Sequence, residues 1–167
     1  MYNYDKPDNL VEMFALSLAN NAERPLFGTA DENGTYSWIS YREVGLRIDD
    51  LRAGLAQKGV LAGDAVGIIA NNCTEWAIAA FATMGIGGRF IPMYEKELPK
   101  IWKHIINDGG IKILFVSSED IYRQIDQMRD ELGNLEHVYL IHGSATATMT
   151  DLERQGRKIP LRAITPK

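Results

Sequence analysis

Four short apolar runs, at residues 65–70, 90–93, 111–116 and 138–141, are separated by three stretches of helical periodicity. This alternation constrains the fold more than any other feature of the chain. Each connection is too long for a hairpin and long enough to carry a helix back across a sheet. Strands joined in this way lie parallel, with right-handed crossovers and helices on both faces. The run Ala65-Val66-Gly67-Ile68-Ile69-Ala70 contains no polar residue, as expected of a strand covered on both sides. The sequence therefore predicts an α/β fold with a mostly parallel sheet and helices on both faces.

The helical stretches differ in their predicted burial. Asn72 and Glu75 have capping spacing ahead of Trp76, Ile78, Ala79, Phe81, Ala82 and Met84, a helix with no polar face and hence interior. Gly85-Ile86-Gly87-Gly88 stops it, and Pro92, which cannot donate to a ladder, places the next strand's end or the whole strand at an edge. Leu98, Ile101, Trp102, Ile105 and Ile106 give a one-sided helix that ends at Gly109-Gly110. Ser117 or Ser118 caps a third, with Ile121, Ile125, Met128 and Leu132 on one face.

Three further elements precede this unit. Asn9 and Glu12 start a helix bearing Leu10, Phe14 and Leu18, and Asn33-Gly34 predicts a hairpin turn before a strand at residues 35–38. Ser40 and Glu43 then open a helix striped by Val44, Ile48, Leu51 and Leu55, with Gly59 as its stop. After His142, Ser144-Ala145-Thr146-Ala147-Thr148 reads as a linker, and Thr150 with Glu153 as the cap of a short last helix. Residues 157–167 have no core pattern. The organisation expected is an α/β subdomain over residues 1–143 and a linker with a loosely held tail over 144–167.

Composition removes several function classes. Eighteen Lys and Arg against 22 Asp and Glu leave a net charge of -4, without the strongly basic face of a nucleic-acid groove. Cys73 is the one cysteine, and His104, His137 and His142 are scattered, so neither a disulfide nor zinc spacing is present. The apolar uncharged stretch at residues 76–88 is well short of the ~20 apolar residues of a membrane span. With no apolar segment at the N-terminus, the chain reads as cytoplasmic.

The residues alone give no catalytic and no metal-ligating set. A dinucleotide fingerprint needs a glycine turn between a strand and the following helix, and Asn71-Asn72-Cys73-Thr74-Glu75 has none. Gly85-Ile86-Gly87-Gly88 lies after a helix instead, where glycine terminates. Ligands of parallel sheets bind beyond the carboxyl ends of the strands. On that ground Asn71, Asn72 and Tyr94 are the candidate substrate-binding residues; His142 also follows a strand, as a bare loop histidine. Cys73 reads as a small buried residue near a helix start, and Trp38, Trp76 and Trp102 as core aromatics.

Several segments together resemble a known family. Tyr36-Ser37-Trp38-Ile39-Ser40-Tyr41-Arg42-Glu43-Val44 resembles the first block of the AMP-forming adenylating enzymes. Gly63-Asp64-Ala65-Val66-Gly67-Ile68 and Asn71-Asn72-Cys73-Thr74-Glu75-Trp76 are similar to its next segments. Residues 84–94 are similar to its second block, although Gly87-Gly88-Arg89 departs from the usual Ala-Gly-Ala. The ending Pro92-Met93-Tyr94 and the Trp102 helix look most like long-chain fatty-acid–CoA ligases.

The resemblance implies the amino-terminal part of an acyl-CoA synthetase. Such an enzyme activates a fatty or other small carboxylic acid with ATP and Mg²⁺, then transfers the acyl group to coenzyme A. The family's phosphate loop, adenine and ribose blocks and late lysine all belong to sequence beyond residue 167. The resemblance therefore implies that these 167 residues alone are inactive and bind no cofactor. Their partner would be the remainder of the enzyme, and faces left open would favour self-association. A stand-alone, non-catalytic α/β binding or interaction module is the alternative.

Overall fold

A computed structural model describes residues 6–143 and 147–164. Three of the five residues expected to form the linker, Ser144, Ala145 and Thr146, lie outside the described residues. Helix α1 (Leu10–Asn21) leads to a hairpin of β1 (Pro25–Ala30) and β2 (Tyr36–Ser40), and then to α2 (Tyr41–Gln57). The alternating unit follows as β3 (Ala65–Ile69), α3 (Thr74–Met84), β4 (Arg89–Met93), α4 (Pro99–Gly109), β5 (Ile111–Val116), α5 (Glu119–Gln127) and β6 (His137–Leu140). The last helix is α6 (Met149–Gly156).

The four strands of the alternating unit form one parallel sheet in the order β4-β3-β5-β6. Alternate side chains feed two cores, as the period of two in a strand requires. Val66, Ile68, Ile113 and Phe115 pack under α2 and α3 with Leu51, Leu55 and Ile78. Ala65, Ile69, Leu114 and Val116 pack on the opposite face against Trp102, Ile106, Ile121 and Ile125 of α4 and α5. The predicted layered architecture is thus present, and β4, which carries Pro92, is an edge strand. One irregularity has a visible cause. Ala65 pairs with Ile111 and Val66 with Ile113, so Lys112 is bulged, and its Nζ reaches the Gly59 carbonyl at 2.6 Å and Asp64 Oδ2 at 3.3 Å.

The helix starts follow the capping chemistry, with shifts. The Asn9 side chain accepts from the Glu12 amide at 3.0 Å, while Glu12 Oε2 accepts from the Asp8 amide, one residue earlier than a capping box. Ser40 and Glu43 form the complete box, as do Thr148 and Asp151 at α6. The last helix therefore starts two residues before the Thr150 cap suggested by sequence. It lies along α2, burying Met149, Leu152 and Glu153, so this part of the expected tail is joined to the α/β body. Downstream, the Arg52 guanidinium donates to the Leu161 carbonyl at 2.7 Å, and the Ile164 amide to the Gly85 carbonyl at 2.9 Å.

The contact of α6 with α2 is unusually close. A Cβ placed on Gly156 would sit 1.9 Å from the Asp50 carbonyl oxygen, and one on Gly54 would sit 2.4 Å from the Leu152 carbonyl oxygen. Each glycine admits the other helix's backbone, which no larger residue does.

The hairpin differs from its prediction. Gly34 has φ 78°, but Asn33 does not share the positive φ of a two-residue turn. Asp31 organises a longer loop instead: its Oδ1 accepts from the amides of Asn33 at 2.9 Å and Thr35 at 2.8 Å. Trp38, read as core, is 61% exposed and stacks on Tyr36 with ring centroids 5.8 Å apart.

Candidate functional site

The carboxyl ends of β3 and β6 open on a cleft of about 850 Å³, roofed by the hairpin. Phe27, Gly28 and Trp38 form its roof, and Asn72, Cys73 and His142 lie along its floor. The backbone places these groups for simple reasons. A parallel strand must leave the sheet at its carboxyl end, and its exit loop becomes the wall of whatever opens there. The hairpin is fixed over it by the amides of Tyr41 and Arg42, which donate to the carbonyls of Arg24 and Ala22 at 3.0 and 2.9 Å.

Beneath the floor is a group of charges from four elements. Arg47 of α2 donates from Nη1 to Glu75 Oε1 at 2.9 Å, at the start of α3. Its Nη2 and Nε reach Glu153 of α6, at 3.0 Å and 3.2–3.3 Å. His142, following β6, brings Nε2 within 3.5 Å of Glu75 Oε2. The two carboxylates are only 8% and 5% exposed, so one guanidinium serves two buried acids. Burial pushes the Glu153 carboxyl up from its usual range; Arg47 opposes this, and the nearby charges of Glu75 and Asp50 add to the rise. Burial also works against the Arg47 charge, but Glu153 and then Glu75 outweigh it and the guanidinium is held protonated more firmly than usual.

Three sequence readings change here. Cys73, not Asn72, is the N-cap of α3, one residue later than expected. Glu75 turns inward to Arg47 and is not a capping partner. Cys73 is exposed at the cleft and not buried. Its neighbours nevertheless desolvate the sulfur enough to push the thiol upward, with Glu75 and Glu95 adding to the shift. A thiol of this kind stays protonated at neutral pH and is not an activated nucleophile.

The candidate binding residues fall at adjacent strand ends. Asn72 lines the cleft. Asn71 is clasped to Glu95 after β4: its amide donates to Oε1 at 3.0 Å and its Nδ2 to Oε2 at 2.6 Å. Tyr94 is 75% exposed beside this clasp, and its carbonyl accepts from Trp102 Nε1 at 2.8 Å. Asn71 and Tyr94 are thus neighbours across β3 and β4, whereas Asn72 faces the hairpin. Sequence reasoning missed Arg47 and Glu153. Nothing local marks them, because the partners stand 106 residues apart.

The amides of Gly85, Ile86, Gly87 and Gly88 all donate to carbonyls of residues 81–84 at 2.9–3.1 Å, so this glycine turn closes a helix and is not an anion nest. Among the described residues no cluster of three or more His, Cys, Asp or Glu could hold a metal ion. No helix among them is long and apolar enough to cross a membrane.

Known proteins resemble this arrangement. The family model of the AMP-binding enzymes matches residues 14–163. A long-chain-fatty-acid–CoA ligase 6 of Rattus norvegicus is 30% identical over 115 residues, covering 68% of this chain and 16% of its own length. A probable CoA ligase of Humulus lupulus is 29% identical over 114 residues, covering 66% of this chain and 17% of its own. The chain thus spans about a sixth of the length of these relatives. Among solved structures, a long-chain-fatty-acid-CoA ligase of Archaeoglobus fulgidus matches with a TM-score of 0.79 at 18% identity, over 93% of this chain and 31% of that one. An anthranilate CoA ligase in complex with anthranoyl-AMP matches with a TM-score of 0.78 at 22% identity, over 93% and 28%. At these identities the structural likeness establishes the fold.

Proposed function

The chain belongs to the AMP-binding enzyme family, and on that premise we propose that it forms the amino-terminal scaffold of an acyl-CoA ligase. The whole enzyme would join a fatty or related carboxylic acid to coenzyme A through an acyl-adenylate, with ATP and Mg²⁺. The observation that carries this reading is the extent of the family match, residues 14–163, which takes in the hairpin, the whole parallel sheet and α6.

Among the described residues no glycine nest or acidic cluster is arranged to hold phosphates or Mg²⁺, so no chemical step is routed through them. Their work is to hold strand ends and shape a wall. The Asn71–Glu95 clasp fixes the exits of β3 and β4 relative to each other, and Asn72 presents an amide to the cleft. In this reading Asn71, Asn72 and Tyr94 form part of the substrate-facing surface, completed by the remainder of the enzyme. Phe27 and Trp38 suit an acyl-bearing molecule better than a free polyphosphate, since Arg47, which also lines the cleft, is already engaged by Glu75 and Glu153.

The test is acid-dependent exchange of labelled pyrophosphate into ATP. The 167 residues alone should show none with Mg²⁺ and a panel of fatty acids. The polypeptide from the full reading frame containing them should show it. Exchange by the 167 residues alone overturns the scaffold reading. A full-length product that folds and shows no exchange with any acid overturns the ligase reading.

A further inference from the structure

The group under the cleft floor joins parts of the molecule that otherwise have separate roles. Arg47 projects from the middle of α2, the helix on which α6 docks. On one side its guanidinium holds Glu153 of α6; on the other it holds Glu75, two residues after the exposed Cys73 in the cleft wall. Two carboxylates share one guanidinium there, in a mostly buried place. Any change in how Arg47 divides itself between the two acids must alter the charge felt at the cleft wall, because buried charges are poorly screened.

We infer that Arg47 is a positioning residue that couples the docking of α6 to the cleft wall: Glu153 draws the guanidinium toward α6, and Glu75 with the adjoining Asn72 and Cys73 takes its position and charge balance from what remains. A second ion pair between the same two helices provides an internal comparison. Arg157 meets Asp50 at 2.7 Å outside the cleft, and the pair reaches the Glu75 group only through the charges that Asp50 and Arg157 exert on Glu153. If any contact holding α6 to α2 affected the cleft, both pairs would matter equally; the geometry assigns the direct coupling to Arg47. This inference does not depend on the ligase reading, because its readout is the chain's own thiol.

Cys73, the single cysteine, reports on the wall directly. The rate of its alkylation by iodoacetamide is measured against pH by mass spectrometry on the 167-residue chain. The charged groups that act on it are Glu75 and Glu95, with Arg47 and His142 acting through Glu75. In Glu153→Gln the guanidinium is freed for Glu75, so the profile moves to lower pH and the neutral rate rises about threefold, the effect of rebalancing one partly screened charge. In Arg47→Gln, Glu75 loses its cation and the profile moves the other way. Arg157→Gln, which touches the group only through Glu153, moves the profile by much less than Glu153→Gln does. General loosening of the fold accelerates alkylation at every pH without moving the midpoint, and circular dichroism identifies it independently. Should Arg47→Gln fail to fold, Glu153→Gln and Arg157→Gln still decide. A Glu153→Gln profile superimposed on the parent's, or an Arg157→Gln profile shifted as far, overturns the inference.

Discussion

Replacing Gly156 by alanine tests the docking of α6 most directly. On an open helix surface this change is favourable by up to about 1 kcal/mol, because alanine is the better helix former. Here the added Cβ would lie 1.9 Å from the Asp50 carbonyl oxygen and 2.4 Å from the Gly54 nitrogen. Both are backbone atoms of α2, so no rotamer change relieves the overlap. Restoring an ordinary contact of 3.4 Å from 1.9 Å means parting the helices by about 1.5 Å at that point.

A gap of half an ångström to one ångström already forfeits roughly a quarter to a half of the dispersion attraction across it. Met149 and Leu152 are fully buried, and each contributes about 1.5–3 kcal/mol when fully covered. Losing about half of both, plus residual strain, gives a destabilisation of about 2–4 kcal/mol. In urea titrations followed by circular dichroism, with m of about 1–3 kcal/mol/M, the midpoint falls by about 1 M or more. Gly54→Ala, whose Cβ would meet the Leu152 carbonyl oxygen at 2.4 Å, acts at the same seam. The double variant should therefore lose clearly less than the two single losses combined. A Gly156→Ala protein as stable as the parent, or more so, refutes the close-packed seam and with it the docking of α6.

Acid should weaken the fold through carboxylates that close turns, such as Asp64. Its Oδ2 accepts the Leu61 amide at 2.8 Å and is further held by Lys112, so its folded pKa lies below the ordinary range. A lowered folded pKa gives stability that is present above the unfolded value of about 3.9 and lost as pH falls through the folded one. The parent's advantage over Asp64→Asn, at most about 1 kcal/mol for so exposed a pair, should therefore hold at neutral pH and vanish on acidification; a pH-independent difference in urea stability contradicts this. The exposed stack of Tyr36 and Trp38, with Leu61 and Ile159 also open to solvent, should make the isolated chain self-associate, and a sedimentation profile of pure monomer at high concentration would count against it.

The layered sheet was readable because its information is local. Residues 65–69 are apolar throughout since both faces are covered, and each crossover helix writes its buried stripe into the chain. Boundaries slipped where two registers satisfied the same rule. Thr148 and Thr150 both stand three residues before an acid, and only packing selects Thr148, because Glu153 is taken by Arg47. At the hairpin, Asn33-Gly34 was a genuine turn signal, but the Asp31 side chain offered the backbone a longer closure. Trp38 was misread because aromatic character suggests burial without showing which face of a two-stranded ribbon is covered. A topological rule pointed to the strand-end positions of Asn71 and Tyr94, whereas the clasp of Asn71 to Glu95 and the Arg47 group depend on side chains that only the folded chain brings together.

The proline in β4 bears on what form association can take. An outermost strand normally presents a row of free amides on which a foreign strand can lay itself down, the first rung of a fibre. At Pro92 that ladder is missing a nitrogen-bound hydrogen. The sheet should therefore not lengthen from one molecule to the next along that border, whereas the opposite border, β6, carries no such block.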